Sequence, residues 1–382
     1  MQIVNTVKEL KIGMIGNKWM GKAHTHGYTD IPLFTDLNAR AIQEIICGRS
    51  ADCEEIAKKW GWNRWTNDWH DIINDPEIDA VDICAPSILH AEIAIAAAKA
   101  GKHVLCEKPM AMNLASAREM VEVAKATGVV NMVGFNYRCV PAIVLAKKLI
   151  DEGAIGEVFH FRGVYPQDWQ SDPNNPITWR SKRNLAGSGV HGDQGSHVID
   201  VMRYWIGEVD EVVCDQRIYT KNRVNAATGV LEEVDADDAS AMIVRFKDSA
   251  AIGYVESSRN GTGHKNQNRI EVNGEKGSII FNMEEMNVLQ YYDATEKSDR
   301  RGFRTIQVTE PNHPYMGNWW AVGHIIGYGD TFIHQARNFV DAIANGKQVS
   351  PDFRDGYECQ RILEAGQISY DEHSWVKIDD VR

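Results

Sequence analysis

Cysteine is sparse in the sequence, and long apolar runs are missing from it. Seven cysteines are scattered over 382 residues with no C-x-x-C pair. This argues against a disulfide framework and favours free thiols in a reducing cytosol. No uncharged apolar run reaches the length of about 18 residues that a membrane span needs, and the N-terminal stretch has no long apolar segment. We therefore expect a cytoplasmic protein with neither an export signal nor a membrane span.

Positively charged residues are fewer than negatively charged ones. The sequence has 41 Lys and Arg against 53 Asp and Glu, a formal net charge of −12 at pH 7, and no Lys- or Arg-rich block. Nucleic acids and anionic membrane surfaces are therefore not expected partners. Internal repeats and low-complexity segments are absent as well. A chain of this length is too long for one ordinary hydrophobic core, so we expect two domains.

Residues 1–138 alternate short apolar runs with helical segments. Runs such as "LKIGMIG", "AVDICAP" and "HVLCEKP" are separated by helical stretches such as "HAEIAIAAAKAG". Strands that alternate with helices build a parallel sheet covered by helices on both faces. We predict an α/β Rossmann domain with a doubly wound parallel sheet over residues 1–138.

Residues 139–382 have a different texture. Eight runs of alternating polarity, joined by Gly, Asn and Asp turns, follow one another between residues 157 and 309. This pattern is typical of a mostly antiparallel sheet with one face in water. Helices are predicted at about 141–152, 192–206, 330–345 and 354–371. We predict an α+β domain with a large open sheet that binds substrate and supports a homodimer or homotetramer, with a C-terminal helix that could pack back on the Rossmann domain.

The stretch "IGMIGNKWMGKAH", residues 12–24, resembles a dinucleotide-binding turn. Gly16 and Gly21 hold the first and third positions of G-x-G-x-x-G, but Lys18 replaces the middle glycine. A helix N-terminus after such a turn can bind phosphate, and Lys18 would add a cation; a plain strand-to-helix turn is the alternative. Gly48 and Arg49 stand where an acidic residue usually binds the adenosine ribose. Arg49 could meet the 2′-phosphate of NADP, stack on the adenine of NAD, or lie in a solvated turn.

Three side chains further along could carry acid–base chemistry. Lys108 follows the apolar run "HVLC", and the carboxyl end of a parallel strand is where such sheets bind ligands. Asp193 and His197 are four residues apart, so on one helix they would face the same way. Each has a plainer interpretation: a solvated lysine, a helix N-cap and a structural histidine. With His191 the pair also offers three metal ligands, although no second ligand cluster accompanies them.

Five segments carry a family resemblance, and they are "CAPSILHAEIA", "AGKHVLCEKPMAMN", "GFNYRCVPAI", "GSGVHGDQGSHVID" and "DFRDGYECQRILEA". In this order they resemble the Gfo/Idh/MocA family, the glucose-fructose oxidoreductase and inositol dehydrogenase group, over essentially the whole chain. The "YPQDW" loop and the "ICGR" turn are most similar to its levoglucosan dehydrogenase-type branch. Ala85 and Ser87 depart from the Thr and Asn that are usual in the family, so backbone contacts are expected from that loop.

The resemblance implies an NAD(P)-dependent oxidoreductase that oxidises a secondary hydroxyl of a pyranose sugar, glycoside or cyclic polyol, at ring C3 in this branch. NAD is favoured, with NADP possible, and no metal is expected. Lys108 would lie beside the nicotinamide, His197 would exchange the hydroxyl proton and Asp193 would orient the substrate; these are the predicted catalytic residues. The predicted cofactor-binding residues are Gly16, Lys18, Trp19, Met20, Gly21, Gly48, Arg49, Ala85, Pro86, Ser87, His90, Glu107, Lys108 and Asn136. The predicted substrate-binding residues are Lys108, Tyr137, Arg138, Tyr165, Gln167, Asp168, Trp169, Trp179, Arg180, Asp193 and His197.

Two other functions fit the same residues. The first is an NAD-dependent glycosidase, in which C3 is oxidised only transiently so that a glycosidic bond can be eliminated. The second is a regulator that binds NAD(P) and a sugar without catalysis, although a sensor has no need of the proton-transfer groups Lys108, Asp193 and His197. The aromatic side chains of the predicted substrate loop suit the C–H face of a sugar ring, and ordinary loop packing would explain them too.

Overall fold

The computed structural model describes residues 7–381, which divide into two compact units. The first unit runs to Cys139 and adds the segments Asn318–Trp320 and Ile326–Tyr357. The second unit comprises Val140–Gly317, Ala321–Ile325 and the chain from Glu358 onward. The predicted division after residue 138 thus falls one residue before the end of the first stretch. Residues 1–6 and Arg382, which the predicted domain limits include, lie outside the described part.

The first unit is built on a six-stranded sheet. Its strands are β1 Lys8–Ile15, β2 Ala39–Cys47, β3 Arg64–Thr66, β4 Ala80–Ile83, β5 His103–Cys106 and β6 Asn131–Val133. The strand order is β3-β2-β1-β4-β5-β6, and every neighbouring pair is parallel. This is the doubly wound order, in which ligands bind outside the carboxyl ends of the strands where the order reverses beside β1. The predicted Rossmann sheet is confirmed.

Helices follow the strands of this sheet, and glycines end several of them. The α-helices of residues 7–381 are α1 Trp19–Phe34, α2 Cys53–Trp60, α3 Trp69–Asn74, α4 His90–Lys99, α5 Leu114–Thr127, α6 Pro141–Asp151, α7 Arg183–Ala186, α8 Val190–Asp193, α9 Gly195–Trp205, α10 Asp330–Asn345 and α11 Phe353–Glu372. Gly101, predicted to end α4, has φ +76° just after its C-cap, a conformation that suits glycine. Within the first unit α10 packs against α1, which brings Phe339 and Ile343 into one core with Ile12 and Met14.

The second unit contains a nine-stranded sheet and a separate two-stranded pair. The strands of the unit are β7 Val158–Pro166, β8 Val209–Arg217, β9 Asn222–Val224, β10 Leu231–Glu233, β11 Ala239–Phe246, β12 Ile252–Ser258, β13 Arg269–Gly274, β14 Gly277–Asn282, β15 Val288–Asp293, β16 Arg304–Gln307 and β17 Val376–Lys377. The large sheet has the order β16-β15-β14-β13-β7-β12-β11-β8-β17. Only β7 and β12 pair in parallel; the other neighbours are antiparallel. The mostly antiparallel sheet and all eight of its predicted runs are confirmed.

One predicted helix is divided. The sequence predicts a single helix over about 192–206, whereas the structure has α8 and α9, which meet at Gln194. The Asp237 carboxylate holds the start of α8, because it accepts 2.7 Å hydrogen bonds from the backbone N–H groups of Gly189 and His191. These partners are more than 40 positions apart in sequence, so no local pattern predicts the division.

Among residues 7–381, no helix combines the length and the apolar character that crossing a membrane requires. All seven cysteines are free thiols, as predicted.

Candidate active site

The turn after β1 has the geometry of a phosphate-binding loop. Gly16 has φ +128°, and a Cβ there would lie 2.4 Å from the carbonyl oxygen of Cys84 after the adjacent β4. A Cβ at Gly21 would lie 1.9 Å from the carbonyl oxygen of Gly16, so only glycine lets α1 begin this close to the turn. No side chain caps the N-terminus of α1, which leaves its first N–H groups available for an anion. These features fit the pyrophosphate of a dinucleotide.

Lys18, at the middle position of the glycine motif, contacts residues of the turn after β2. The Lys18 ammonium lies 3.1 Å from Ser50 Oγ and 3.7 Å from a carboxylate oxygen of Asp52. Asn17 Nδ2 also donates to Ser50 Oγ, at 2.9 Å. A Cβ at Gly48 would lie 2.3 Å from Asn17 Cγ, so glycine there makes room for the Asn17 amide. Lys18 is therefore held at the end of β2, the place where such folds bind the adenosine ribose.

Three further predicted cofactor-binding residues, Trp19 and Met20 on α1 and Arg49 after β2, differ in how far their side chains are exposed to solvent. Trp19 is 65% exposed, and its ring stacks on that of Tyr328 with the centroids 6.0 Å apart. Met20 is half-buried in the first turn of α1, and Arg49 is exposed beside Gly48. The structure thus leaves Trp19 and Arg49 accessible to a ligand at this edge of the sheet.

His90 joins the loops that follow β4 and β5. Its Nδ1 and Nε2 atoms each lie 2.8 Å from a backbone carbonyl oxygen, that of Pro109 and that of Ala85 respectively. His90 is 1% exposed. It therefore positions the Ala85–Pro86–Ser87 loop and the turn that carries Lys108.

The Glu107–Lys108–Pro109 turn follows β5 directly. Glu107 is 5% exposed, and its Oε1 lies 3.0 Å from His24 Nε2. His24 Nδ1 in turn lies 2.8 Å from Asp82 Oδ2 on β4. Lys108 itself is half-buried. The structure thus places Lys108 at the carboxyl end of a central strand, above a buried ionic network that the sequence did not predict.

The segment after β6 is buried and makes contacts within the first unit. Asn136 is buried and its Nδ2 donates to Thr331 Oγ1 at 2.9 Å. Tyr137 is buried too, and its ring meets Tyr328 edge-on at 6.3 Å. The Arg138 guanidinium is buried and bonds Ser350 Oγ at 2.9 Å and Asp355 Oδ2 at 3.4 Å.

Arg138 stays a predicted substrate-binding residue. Its ion pair with Asp355, 217 positions away, also ties the end of β6 to the start of α11 within the first unit.

In the second unit, four predicted substrate residues and Arg259, which was not predicted, form a connected group that we call the Asp193 cluster: Asp193, Arg180, Arg259, Trp169 and Trp179. Asp193 Oδ2 lies 3.3 Å from Arg259 Nη2 and 3.7 Å from Arg180 Nε. The Arg259 guanidinium lies 5.3 Å from the centre of the Trp169 ring, and that of Arg180 lies 4.4 Å from the centre of the Trp179 ring. Both tryptophans stay partly exposed, at 38% and 48%.

A second set of contacts adjoins His197 in the same unit. Tyr165 meets the His197 ring edge-on at 6.2 Å, and its hydroxyl donates to Asn266 Oδ1 at 2.6 Å. Gln167 Nε2 donates to the same oxygen at 2.9 Å. Asp168 forms an ion pair with Lys265, and the hydrogen bond from that lysine lowers the pKa of Asp168.

Several buried polar atoms beside these residues have no hydrogen-bond partner among the described residues: Gln170 Oε1, Ser171 Oγ, Thr178 Oγ1, Gln194 Oε1 and Nε2, Arg259 Nε and Asn260 Oδ1. Others lie elsewhere in the protein, such as the amides of Gln216 and Asn268. Buried polar groups in native proteins almost always have partners, so the atoms beside the cluster are available to a polar ligand or to water.

The metal-binding alternative is not supported by the position of His191. Its Nδ1 lies 2.8 Å from Ser240 Oγ and its Nε2 2.8 Å from the Leu363 carbonyl oxygen. With both ring nitrogens hydrogen bonded inside the second unit, His191 holds α8 in place and has no nitrogen left for a metal.

Sequence reasoning missed Arg259, Asn266, His24 and Asp82. Arg259 lies just after β12 and Asn266 shortly before β13, where the sequence predicts only the connection between two strands. His24 follows the glycine turn on α1 and Asp82 lies inside an apolar strand. A charged residue in a strand that is otherwise buried is the one signal that was available, since it needs a partner.

Comparison with known proteins agrees with this geometry. Residues 10–135 match the model of an oxidoreductase family with an NAD-binding Rossmann fold, and residues 143–280 match the GFO/IDH/MocA C-terminal domain. Levoglucosan dehydrogenase from Pseudarthrobacter phenanthrenivorans is 42% identical over 98% of this chain and 100% of its own. Myo-inositol 2-dehydrogenase from Thermotoga maritima is 28% identical over 97% of this chain and 99% of its own. A solved levoglucosan dehydrogenase, in complex with NADH and levoglucosan, is 43% identical with a TM-score of 0.94 and covers 97% of this chain and 100% of that one. The chain therefore belongs to the GFO/IDH/MocA family of oxidoreductases, and its first domain is the family's NAD-binding Rossmann fold.

Proposed function

We propose that the protein is an NAD-dependent dehydrogenase that oxidises a secondary hydroxyl, at ring C3, of a pyranose sugar, glycoside or cyclic polyol. The observation that carries the proposal is the Asp193 cluster with its exposed tryptophan faces and the unsatisfied buried polar atoms beside it. A polyol has the matching chemistry, because its C–H faces pack on aromatic rings while its hydroxyls donate and accept hydrogen bonds. The levoglucosan and inositol dehydrogenases among the relatives support the same substrate class.

NAD, when bound, accepts the hydride from the substrate carbon. The residues that would hold it are those of the glycine turn, the β2 turn with Lys18, and the loops that His90 joins. For the substrate hydroxyl, we assign the proton to Lys108 Nζ or to the His197 imidazole, while the other group donates a hydrogen bond to the oxygen as negative charge develops. Asp193, paired with Arg259 and Arg180, would accept hydrogen bonds from a neighbouring hydroxyl and so orient the ring.

An activity screen tests the proposal. Levoglucosan, glucose, methyl glucosides and myo-inositol would each be offered with NAD, with NADH formation followed optically and the product identified by NMR. We expect stoichiometric NADH and a ketone at C3 with at least one pyranose. Release of the aglycone without net NADH would instead support the glycosidase, and binding of NAD and sugar without turnover would support the regulator.

We also propose that the outer face of the large sheet is covered by another copy of the chain. Ile243 and Ile252 lie on the neighbouring strands β11 and β12, on the face that alternates with the buried side chains, and are 44% and 53% exposed. Exposed apolar side chains grouped on one sheet are typical of an interface. Sedimentation analysis should find a homodimer or homotetramer, and a monomer at all concentrations would contradict this.

Lys18 provides a prediction about cofactor affinity. Because its ammonium lies at the end of β2, Lys18→Ala should raise the Kd for NAD by about 10- to 150-fold, equivalent to one hydrogen bond to a charged group, without changing kcat. Lys18→Gly should raise the Kd less, because it restores the usual backbone freedom of the turn. Both effects should shrink as salt increases.

Titration calorimetry at low and high salt measures these constants, with Lys22→Ala as the control, since Lys22 is an exposed lysine on the same helix. If Lys18→Gly binds NAD more tightly than the parent, Lys18 hinders the cofactor instead of holding it.

A further inference from the structure

A histidine is enclosed between two carboxylates beneath the turn that carries Lys108. The His24 side chain is 1% exposed, and its Nδ1 lies 2.9 and 2.8 Å from the two carboxylate oxygens of Asp82. Its Nε2 lies 3.0 Å from Glu107 Oε1. The side chains of Asp82 and Glu107 are 0% and 6% exposed. Both ring nitrogens thus face carboxylate oxygens, an arrangement that favours a ring with a proton on each nitrogen.

The surroundings of His24 stabilise its charged form. Burial disfavours the imidazolium, but the Asp82 carboxylate and the adjacent Cys84 together outweigh it, so the pKa of His24 is raised well above its ordinary value. The other groups around the network are uncharged donors and an aromatic ring. The Tyr28 hydroxyl donates to Asp82 Oδ2 at 2.9 Å, the Gln335 amide lies 3.4 Å from His24 Nε2, and the Phe332 ring lies 5.3 Å from that of His24.

The same residues do not suit a metal ion. His24, Asp82 and Cys84 lie close enough together to hold one. However, both His24 nitrogens are already opposite carboxylate oxygens. Burial and the charge of Asp82 also raise the pKa of the Cys84 thiol, so it remains protonated and is a poor ligand. The cluster is therefore an ionic hydrogen-bond network.

This network fixes one end of the catalytic turn. Glu107 Oε1 is held by His24, and Oε2 accepts a 3.2 Å hydrogen bond from the backbone N–H of Lys108. On the other side, a Cβ at Gly134 would lie 2.4 Å from Glu107 Oε1, so the glycine leaves the carboxylate just enough room. The backbone at Lys108 is thus connected to α1 and β4 through a single carboxylate.

We propose that His24 is a positioning residue that, as a buried imidazolium, holds the Glu107 carboxylate and through it sets the position and electrostatic surroundings of Lys108. The proposal rests on the proposed role of Lys108 in the reaction. His24 touches neither cofactor nor substrate in this scheme, so its effect passes entirely through Glu107.

The first test uses the unmodified protein. With histidines labelled with ¹⁵N, the ring nitrogens of His24, assigned by comparison with His24→Gln or, if that variant is not recovered, by exclusion of the other histidines, should keep the imidazolium signature at pH 8. The direction of the pH dependence follows from the raised pKa of His24. The stabilisation by the charged ring is complete below the unfolded pKa, about 6.5, and disappears only as pH rises through the folded value. A neutral His24 ring at pH 7 would overturn the proposal, and this measurement does not depend on activity.

The second test separates positioning from folding. His24→Gln should lower kcat by about 10- to 100-fold, the effect expected of a small displacement of a catalytic group, and should alter the pH profile of kcat. The Kd for NAD should change less than about threefold. His26→Gln is the matched control, because His26 lies on the same helix but is half-exposed and pairs with Asp30 at 2.8 Å. A lower melting temperature with parental kcat would show that His24 is only structural, and would overturn the proposal.

A double-mutant cycle tests whether the effect passes through Glu107. His24→Gln should cost little further kcat in a Glu107→Gln background, and equal costs in both backgrounds would overturn the proposal. Gly134→Ala, which crowds the Glu107 carboxylate without touching His24, should reproduce the loss of kcat even if His24→Gln does not fold. A parent protein that oxidises no sugar would contradict the proposed function, while the NMR measurement would still decide the state of His24.

Discussion

Lys108→Ala is expected to abolish turnover while NAD binding stays largely intact. Lys108 lies at the carboxyl end of β5, and its turn is held by His90 and Glu107. If its ammonium or amine exchanges the substrate proton, the loss should reduce kcat by about 10²- to 10⁴-fold, the usual contribution of one positioned proton-transfer group. Steady-state kinetics with the best sugar from the screen, together with calorimetry of NAD binding, measures both quantities.

The control for this variant is Lys125→Ala, because Lys125 is exposed on α5 in the same unit. It should behave as the parent. A Lys108→Ala enzyme with kcat close to the parental value would remove Lys108 from the mechanism. A large rise in the Kd for NAD with unchanged kcat would make it a cofactor anchor instead.

The parts of the fold that the sequence predicts well are those with local causes. The parallel sheet follows from apolar runs that alternate with helices, and the glycine turn follows from the spacing of Gly16 and Gly21 between a strand and a helix. The eight runs of the second sheet are likewise visible in their alternation, as in β11, where every second residue is buried. These features need no knowledge of distant contacts.

The missed features depend on distant contacts. His24 pairs with Asp82 and Glu107, which are 58 and 83 positions away, so the sequence shows that Asp82 needs a partner but not which residue it is. The ion pair of Arg138 with Asp355, 217 positions away, is likewise fixed only by the fold. The segment Ile326–Tyr357 joins the first unit because α10 packs on α1, which sequence periodicity alone does not indicate. Lys108, Asp193 and His197 remain predictions as catalytic residues, since their roles depend on the reaction.

His197→Ala is expected to lower kcat nearly as much as Lys108→Ala, because His197 is the second group proposed to exchange the proton of the substrate hydroxyl. His197 lies in the first turn of α9, is 7% exposed and packs beside Tyr165. As the second proton-transfer group it should contribute about 10²-fold or more to kcat, and its removal should also change the pH dependence of kcat.

Replacing the neighbouring Asp193 should change a different kinetic constant from replacing His197. Asp193→Asn keeps the shape of the side chain but weakens its ion pairs with Arg259 and Arg180, so it should mainly raise KM for the sugar. His324→Ala, at an exposed loop position in the same unit, is the control and should leave both constants unchanged. Parental kcat in His197→Ala at all pH values would assign proton transfer to Lys108 alone. If a chelator abolished activity in the parent, the acid–base assignment would give way to a metal-dependent one, because proton transfer by His197 and Lys108 needs no metal.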